Sequence, residues 1–443
     1  MRDVVSSLTA TALIQVSNIA SGVLLARFLQ PDGRGELAAV ILWPSVIAAV
    51  GIFGLHEAVA YHAARRRHGA GEILRSSLLL GAVLSLILLP VGAAVVNLVF
   101  AGQPGDVRAA AFLYLAFIPL NFFGLFVVGL FQGRLRFTEW NLLRTSVQVF
   151  YVLFILLFYF TGMGDVHGFA LASLLSNVAM IALAVALHRR VDWRSGAAPA
   201  ATAEPPAWRA LTRYGISVHF GATAAIVAER LDQMIISVML PAADLGLFVI
   251  AMTLSRLPLV LATTLATVSF PKIAGAADEA GKAHIFGRYA RATVLVTVPT
   301  AAMLAVLMPW LLPLFFGPAF AAATPVAWVL LISAVPISLK AMMGAGLKAC
   351  DRGWLVGQAE TATLALSAAS LVALVPAYGL MGAAVASIIS QGGALVFMTI
   401  RARRILGVPA AVLLLPRRAD VALVVDTMKE LRQLLVRSPR PAR

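Results

Sequence analysis

A single cysteine, Cys350, stands in a chain of 443 residues, so no internal disulfide can form. It reads as a small packing side chain. Charge is scarce as well. Only 12% of the residues are charged while 60% are hydrophobic, a balance that excludes a soluble globular domain of this size. The seven histidines are dispersed, and His62 and His68 flank an arginine run that would repel a cation, so no metal site is expected. Neither a phosphate-binding loop of the Walker type nor a glycine-rich dinucleotide fingerprint is present, which excludes direct nucleotide hydrolysis and predicts no cofactor. Acids are outnumbered, 20 against 35 bases, and none lies between Val4 and Leu29.

What is abundant is apolar sequence in membrane-length runs. Twelve segments each exceed the roughly 20 residues needed to cross a hydrocarbon core of about 30 Å. The first six read Val4 to Leu29, Glu36 to Ala64, Ser76 to Phe100, Arg108 to Phe131, Asn141 to Thr161 and Val166 to Leu187. The others read Thr212 to Leu240, Ala243 to Phe270, Ala290 to Phe316, Ala321 to Ala349, Gly353 to Pro376 and Leu380 to Ile400. About 30 of the 35 basic residues fall in alternate connections, which places those connections and both termini in the cytoplasm. The net charge of +15 therefore faces anionic lipid headgroups, and nucleic acid is not an expected partner. The first span is too long for a cleavable leader and is followed at once by another, so it reads as a signal anchor.

The opposite connections are short: Gln30 to Gly35, Ala101 to Val107, Gly162 to Asp165, Pro241 to Ala242, Gly317 to Phe320 and Ala377 to Gly379. They leave no room for an outer domain, which argues against a membrane glycan polymerase or ligase. Inner connections are longer and basic, with Arg65, Arg66, Arg67 and Arg75 after the second span and Lys272, Lys282, Arg288 and Arg291 after the eighth. The expected organisation is a six-helix bundle over residues 1–190, a proline-broken linker over 191–208, a second bundle over 209–404 and a basic tail over 405–443. In the tail Val421, Val424, Val425, Met428, Leu431 and Leu435 recur at helical spacing, with Lys429 and Arg432 on the polar face, which predicts an amphipathic helix on the inner membrane surface.

A shift of about 210 to 217 residues brings the halves into register. Leu29-Gln30-Pro31-Asp32-Gly33-Arg34-Gly35-Glu36-Leu37 is echoed by Leu240-Pro241-Ala242-Ala243-Asp244-Leu245-Gly246-Leu247-Phe248. Gly168-Phe169-Ala170-Leu171-Ala172-Ser173 is echoed by Gly382-Ala383-Ala384-Val385-Ala386-Ser387, and Gly129-Leu130 by Gly346-Leu347. Two parallel, pseudo-symmetric bundles around a central cleft are predicted, the whole an all-α polytopic membrane protein.

The run Ala26-Arg27-Phe28-Leu29 with Pro31-Asp32-Gly33-Arg34-Gly35, its echo, Arg230-Leu231-Asp232 and the Gly382 to Ser387 motif resemble the bacterial polysaccharide flippases. These form part of the multidrug, oligosaccharidyl-lipid and polysaccharide exporter superfamily, and the similarity spans roughly Met1 to Arg404. Gln30 departs from the resemblance, since glycine usually precedes the proline. The resemblance implies a transporter of the bacterial plasma membrane, not an enzyme, moving an undecaprenyl-diphosphate-linked glycan outward by alternating access. Membrane lipids, glycosyltransferases and a glycan polymerase are the partners it implies.

The residues themselves pose the same problem. A charged headgroup must be sheltered from hydrocarbon, and Arg230 lies roughly 15 Å from the outer end of its span, near the midplane. Arg256 is similarly deep, and guanidinium groups match phosphate through paired donors. Such charges are expected to face a cavity or a partner, and Glu229, at the depth of Arg256, offers a purely structural pairing. Asp232 is expected to project away from Arg230 on the helix. Gln15 and Asn18 on the first span and Gln233 on the seventh supply neutral hydrogen bonds for sugar hydroxyls or for a neighbouring helix. Arg27 sits at the cleft mouth or snorkels to the interface. Glu57 beside His56, Glu229 and Glu360 are the candidates for ion coupling. The rival reading is a cation-coupled multidrug exporter of the same superfamily, which calls for a carboxylate in the first half; a non-transporting scaffold leaves the midplane arginines unexplained.

Overall fold

The computed structural model describes residues 2–66, 68–190, 206–406, 415, 417 and 420–425. Every regular element among them is helical. Among the described residues nine helices are long and apolar enough to cross a bilayer, which makes this a multi-pass membrane protein. The chain divides into two compact units, Met1–Ile226 and Val227–Arg443.

The first unit contains α1 (Arg2–Gly51), α2 (Leu55–Arg65), α3 (Ala70–Val99), α4 (Gly105–Tyr114), α5 (Phe117–Gly133), α6 (Phe137–Phe160) and α7 (Val166–Arg190). The helical run of α1 is about twice membrane length and is interrupted at Gln30, whose φ of 57° and ψ of −179° are not helical. Pro31 contributes, since its ring disfavours the α conformation at the residue before it. The second arm of α1 breaks again ahead of α2, where Gly54 takes a φ of 66°. A Cβ there would meet Gly215 O at 2.5 Å, and one on Gly215 would meet Phe53 O at 2.6 Å. This backbone contact fixes the start of α8 (Ala207–Met239) within the first unit, and the boundary between the units falls inside that helix. Gly133 likewise lets α5 meet α2, because a Cβ would stand 2.2 Å from Ala60 O.

The second unit contains the remainder of α8 with α9 (Ala242–Ser255), α10 (Leu257–Ala274), α11 (Glu279–Phe316), α12 (Thr324–Ala349) and α13 (Gly353–Leu406). The segment expected as one span from Ala243 to Phe270 is broken at Arg256, because Pro258 lacks the N–H that would continue the helix. The helical run of α13 again exceeds one crossing and is interrupted at Gly379, with φ 55°. The core gathers Phe286, Tyr289, Met342, Met343, Leu355 and Met398 from α11, α12 and α13.

The linker expected over 191–208 lies outside the described residues except 206–208, and so does the tail helix beyond Val425. The described piece, Asp420 to Val425, is helical, and Leu423 and Val424 pack on the core of their own unit. Arg291, expected in an inner connection, is instead buried at 6% exposure in α11.

Candidate functional site

In the second unit the polar side chains of α8 separate into two groups. Glu229 and Arg230 are exposed, whereas Gln233 is buried and turns its amide onto Met252 Sδ at 3.7 Å. Gln233 thus joins α8 to α9, the neighbouring-helix role that was one of the two expected for it. Arg256 Nη1 donates to Glu229 Oε1 at 3.0 Å, with side-chain exposures of 35% and 55%. Arg230 makes no hydrogen bond or ion pair with another described residue. Asp232 accepts from the Gln233 amide at 2.7 Å and lies within electrostatic reach of both Arg256 and Arg230.

Glu360 on α13 is held by Lys340 of α12, whose Nζ is 2.9 Å from Oε2. The two are 12% and 21% exposed for Lys340 and Glu360, and Thr363 Oγ1 stands 3.5 Å from the same ammonium. Lys340 was not singled out by sequence. The signal was there, since it is the one charged side chain between Ala321 and Leu347. At the edge of this unit Arg291 grips Asp420 with two hydrogen bonds, 2.7 and 3.0 Å. Burial alone would raise the Asp420 carboxyl, but the Arg291 guanidinium and the Arg417 amide outweigh it and hold the group below its ordinary range.

In the first unit Gln15, Asn18 and Arg27 are all exposed on α1. Glu57 Oε2 pairs with His56 Nδ1 at 2.8 Å and lies within electrostatic reach of His219. His219 packs on Phe53, ring centroids 4.7 Å apart, and meets the Thr223 hydroxyl. Tyr61 and Tyr214 stack at 4.2 Å beside it, with the Arg65 guanidinium over the Tyr61 ring. Two cavities open within the same unit. One, of about 490 Å³, is lined by polar groups of α5, α6 and α7, among them Asn121, Gln148, Tyr151 and Asn177. The other, of about 610 Å³, includes Glu57, Tyr61, Trp140 and Tyr214. Arg144 lines both. Among the described residues no group of three or more His, Cys, Asp or Glu is placed to hold a metal ion.

A sequence profile described as a polysaccharide biosynthesis protein matches residues 24–325. No curated protein matches the chain significantly. Solved structures do. The inward-facing conformation of a multidrug resistance MATE family transporter of the MOP superfamily has 14% identity and a TM-score of 0.72, covering 90% of this chain and 98% of that one. The lipid II flippase MurJ, in an inward closed conformation, has 13% identity and a TM-score of 0.72, covering 98% and 93%. A MOP superfamily transporter from Pyrococcus furiosus, for which a reverse polarity of the binding pocket suggests a different function, has 17% identity and a TM-score of 0.62, covering 93% and 95%. Identities this low establish a shared fold.

Proposed function

The chain belongs to the polysaccharide biosynthesis protein family, and from that premise we propose that it is a flippase of the bacterial plasma membrane. Its cargo is an undecaprenyl-diphosphate-linked oligosaccharide, carried from the inner to the outer leaflet by alternating exposure of the binding site. In this reading the interrupted helices α1 and α13 each cross twice, α8 crosses once, and α9 with α10 makes one crossing. Twelve spans result, with both termini in the cytoplasm.

One observation carries the reading. Arg230 stands exposed, in no hydrogen bond or ion pair with a described residue, roughly 15 Å from the outer end of a membrane-length helix. A guanidinium at that depth costs about 2.5–3.5 kcal/mol on insertion scales, so its retention there calls for an anion in the site. The diphosphate of a lipid-linked sugar is such an anion. No bond is made or broken, and the groups required are donors for phosphate and sugar hydroxyls. The multidrug alternative needs a carboxylate to attract cationic compounds; Val4 to Leu29 and the lining of the 490 Å³ cavity hold none, and Glu57, which lines the 610 Å³ cavity, is paired with His56.

The test is a cellular one. Arg230→Ala is expected to abolish surface display of the glycan while the protein still accumulates in the membrane, read by glycan immunoblot against protein level. Undiminished display in that variant would remove the anionic-cargo argument.

A further inference from the structure

Arg144 lies on α6 about seven residues, hence roughly 10 Å, from the helix start at Phe137. Taken alone it resembles any basic residue near the inner membrane face. Its surroundings set it apart. The guanidinium lies over the Trp140 ring, 4.3 Å from the centroid, which fixes its direction. The nearest acid on the helix, Glu139, is engaged by Arg136 at 3.4 Å. Glu57, the acid lining the larger cavity, is taken by His56. The smaller cavity is lined by no acid at all. Arg144 has no hydrogen bond or ion pair with another described residue, although it lines both cavities.

Gln148 and Tyr151 follow Arg144 at i+4 and i+7, which puts all three on one face of α6, and all three line the smaller cavity. The Tyr151 hydroxyl is buried and makes no hydrogen bond, and the Arg34 guanidinium lies within its electrostatic reach. A buried hydroxyl without a partner is costly, and because Tyr151 lines this cavity a ligand that reached its hydroxyl would supply the missing hydrogen bond. Asn121 faces the same space from α5. The Arg144 cation, the Gln148 and Asn121 amides, the Tyr151 phenol and flanking aromatic rings match a phosphorylated sugar. The cation meets phosphate, and the neutral groups meet hydroxyls.

We propose that this cavity is a subsite for the phosphate and first sugar of the lipid-linked headgroup, with Arg144 as the phosphate contact and Gln148, Tyr151 and Asn121 as the sugar contacts. The assignment rests on the anionic-cargo reading above but names a different bundle and a different arginine. It makes the first unit a binding partner for the headgroup in its own right.

The experiment uses the full-length protein in nanodiscs with farnesyl diphosphate as probe, binding being read from Trp140 emission as the difference between the native chain and Trp140→Phe. Arg144→Gln is expected to weaken binding at least tenfold. Arg144→Lys, which keeps the charge but loses the paired donors, should fall in between. Because the lysine variant preserves the cation within the membrane, it keeps the test valid if the glutamine variant misfolds. Farnesyl diphosphate binding at least tenfold tighter than inorganic diphosphate would support a lipid headgroup, and equal affinities would overturn it in favour of a free anion. Unchanged affinity in both Arg144 variants, with loss in Arg230→Ala, would overturn the subsite and leave the flippase reading standing. Failure of the native chain to bind farnesyl diphosphate while it binds tetraphenylphosphonium would overturn both.

Discussion

Arg256 Nη1 lies 3.0 Å from Glu229 Oε1, and Arg256 is also the residue at which α9 gives way to α10. The pair therefore ties the mid-membrane break of one helix to the flank of another within the second unit. A cation already neutralised in this way has little attraction left for a diphosphate. Replacing Arg256 or Glu229 singly is expected to lower the thermal midpoint and glycan export together. The exchange Glu229→Arg with Arg256→Glu is expected to recover at least half of both. Recovery of stability without export would instead place Arg256 among the headgroup contacts.

The apolar runs were legible because a bilayer imposes length and composition together, so α3, α6 and α7 stand almost where the runs do, while α11 starts 11 residues before its run. Gly168 and the residue that echoes it, Gly382, each sit where a Cβ would collide with backbone, Met163 O and Leu374 O respectively. Helix breaks were half-legible. Pro31 and Pro258 are visible in the sequence, but proline is often tolerated inside membrane helices, as Pro90 is in α3. Lys340 and Glu360, 20 residues apart on consecutive helices, could have been paired as Glu229 and Arg256 were, whereas Arg291 and Asp420 are 129 apart and one sequence does not say which helices adjoin. Arg144 was hidden for another reason. Basic residues near the inner face are demanded by topology, so only its i+4 and i+7 neighbours distinguish it.

Gln30 provides a test of backbone strain. Its φ of 57° with ψ of −179° is a conformation that glycine adopts freely and other residues adopt at a cost of about 1–3 kcal/mol. Part of that cost is offset by its own side chain, whose Nε2 donates to Arg27 O at 3.0 Å. An exposed hydrogen bond of this kind contributes about 0.5–1.5 kcal/mol. Gln30→Gly is expected to stabilise the protein by about 1 kcal/mol, and Gln30→Ala, which keeps the strain and loses the bond, to destabilise it by a similar amount. Thermal unfolding in detergent gives both signs, and a destabilised glycine variant would show that the break is set by Pro31 alone.

Asp420 and Arg291 make the most deeply buried ion pair among the described residues, 1% and 6% exposed, and it holds the segment Asp420 to Val425 against the core of the second unit. Removing one partner of a buried pair costs about 3–5 kcal/mol, because the other charge is left uncompensated. Leu423 and Val424 are only partly buried, so each contributes less than the about 1.5–3 kcal/mol of complete burial. Asp420→Ala is therefore expected to release the segment, seen as faster hydrogen exchange at Val421 to Val425. Replacing both partners with apolar residues, Arg291→Met with Asp420→Leu, is expected to restore protection, because no unpaired charge remains. The pH dependence has a definite sign. The folded carboxyl is held below its ordinary value, so the stabilisation is complete above about pH 4 and is lost as pH falls below that, through the depressed folded value. Protection at Val421 to Val425 should accordingly be flat from neutrality to about pH 5 and decline only in stronger acid. A loss beginning near pH 6 would mean that some other group holds the segment in place.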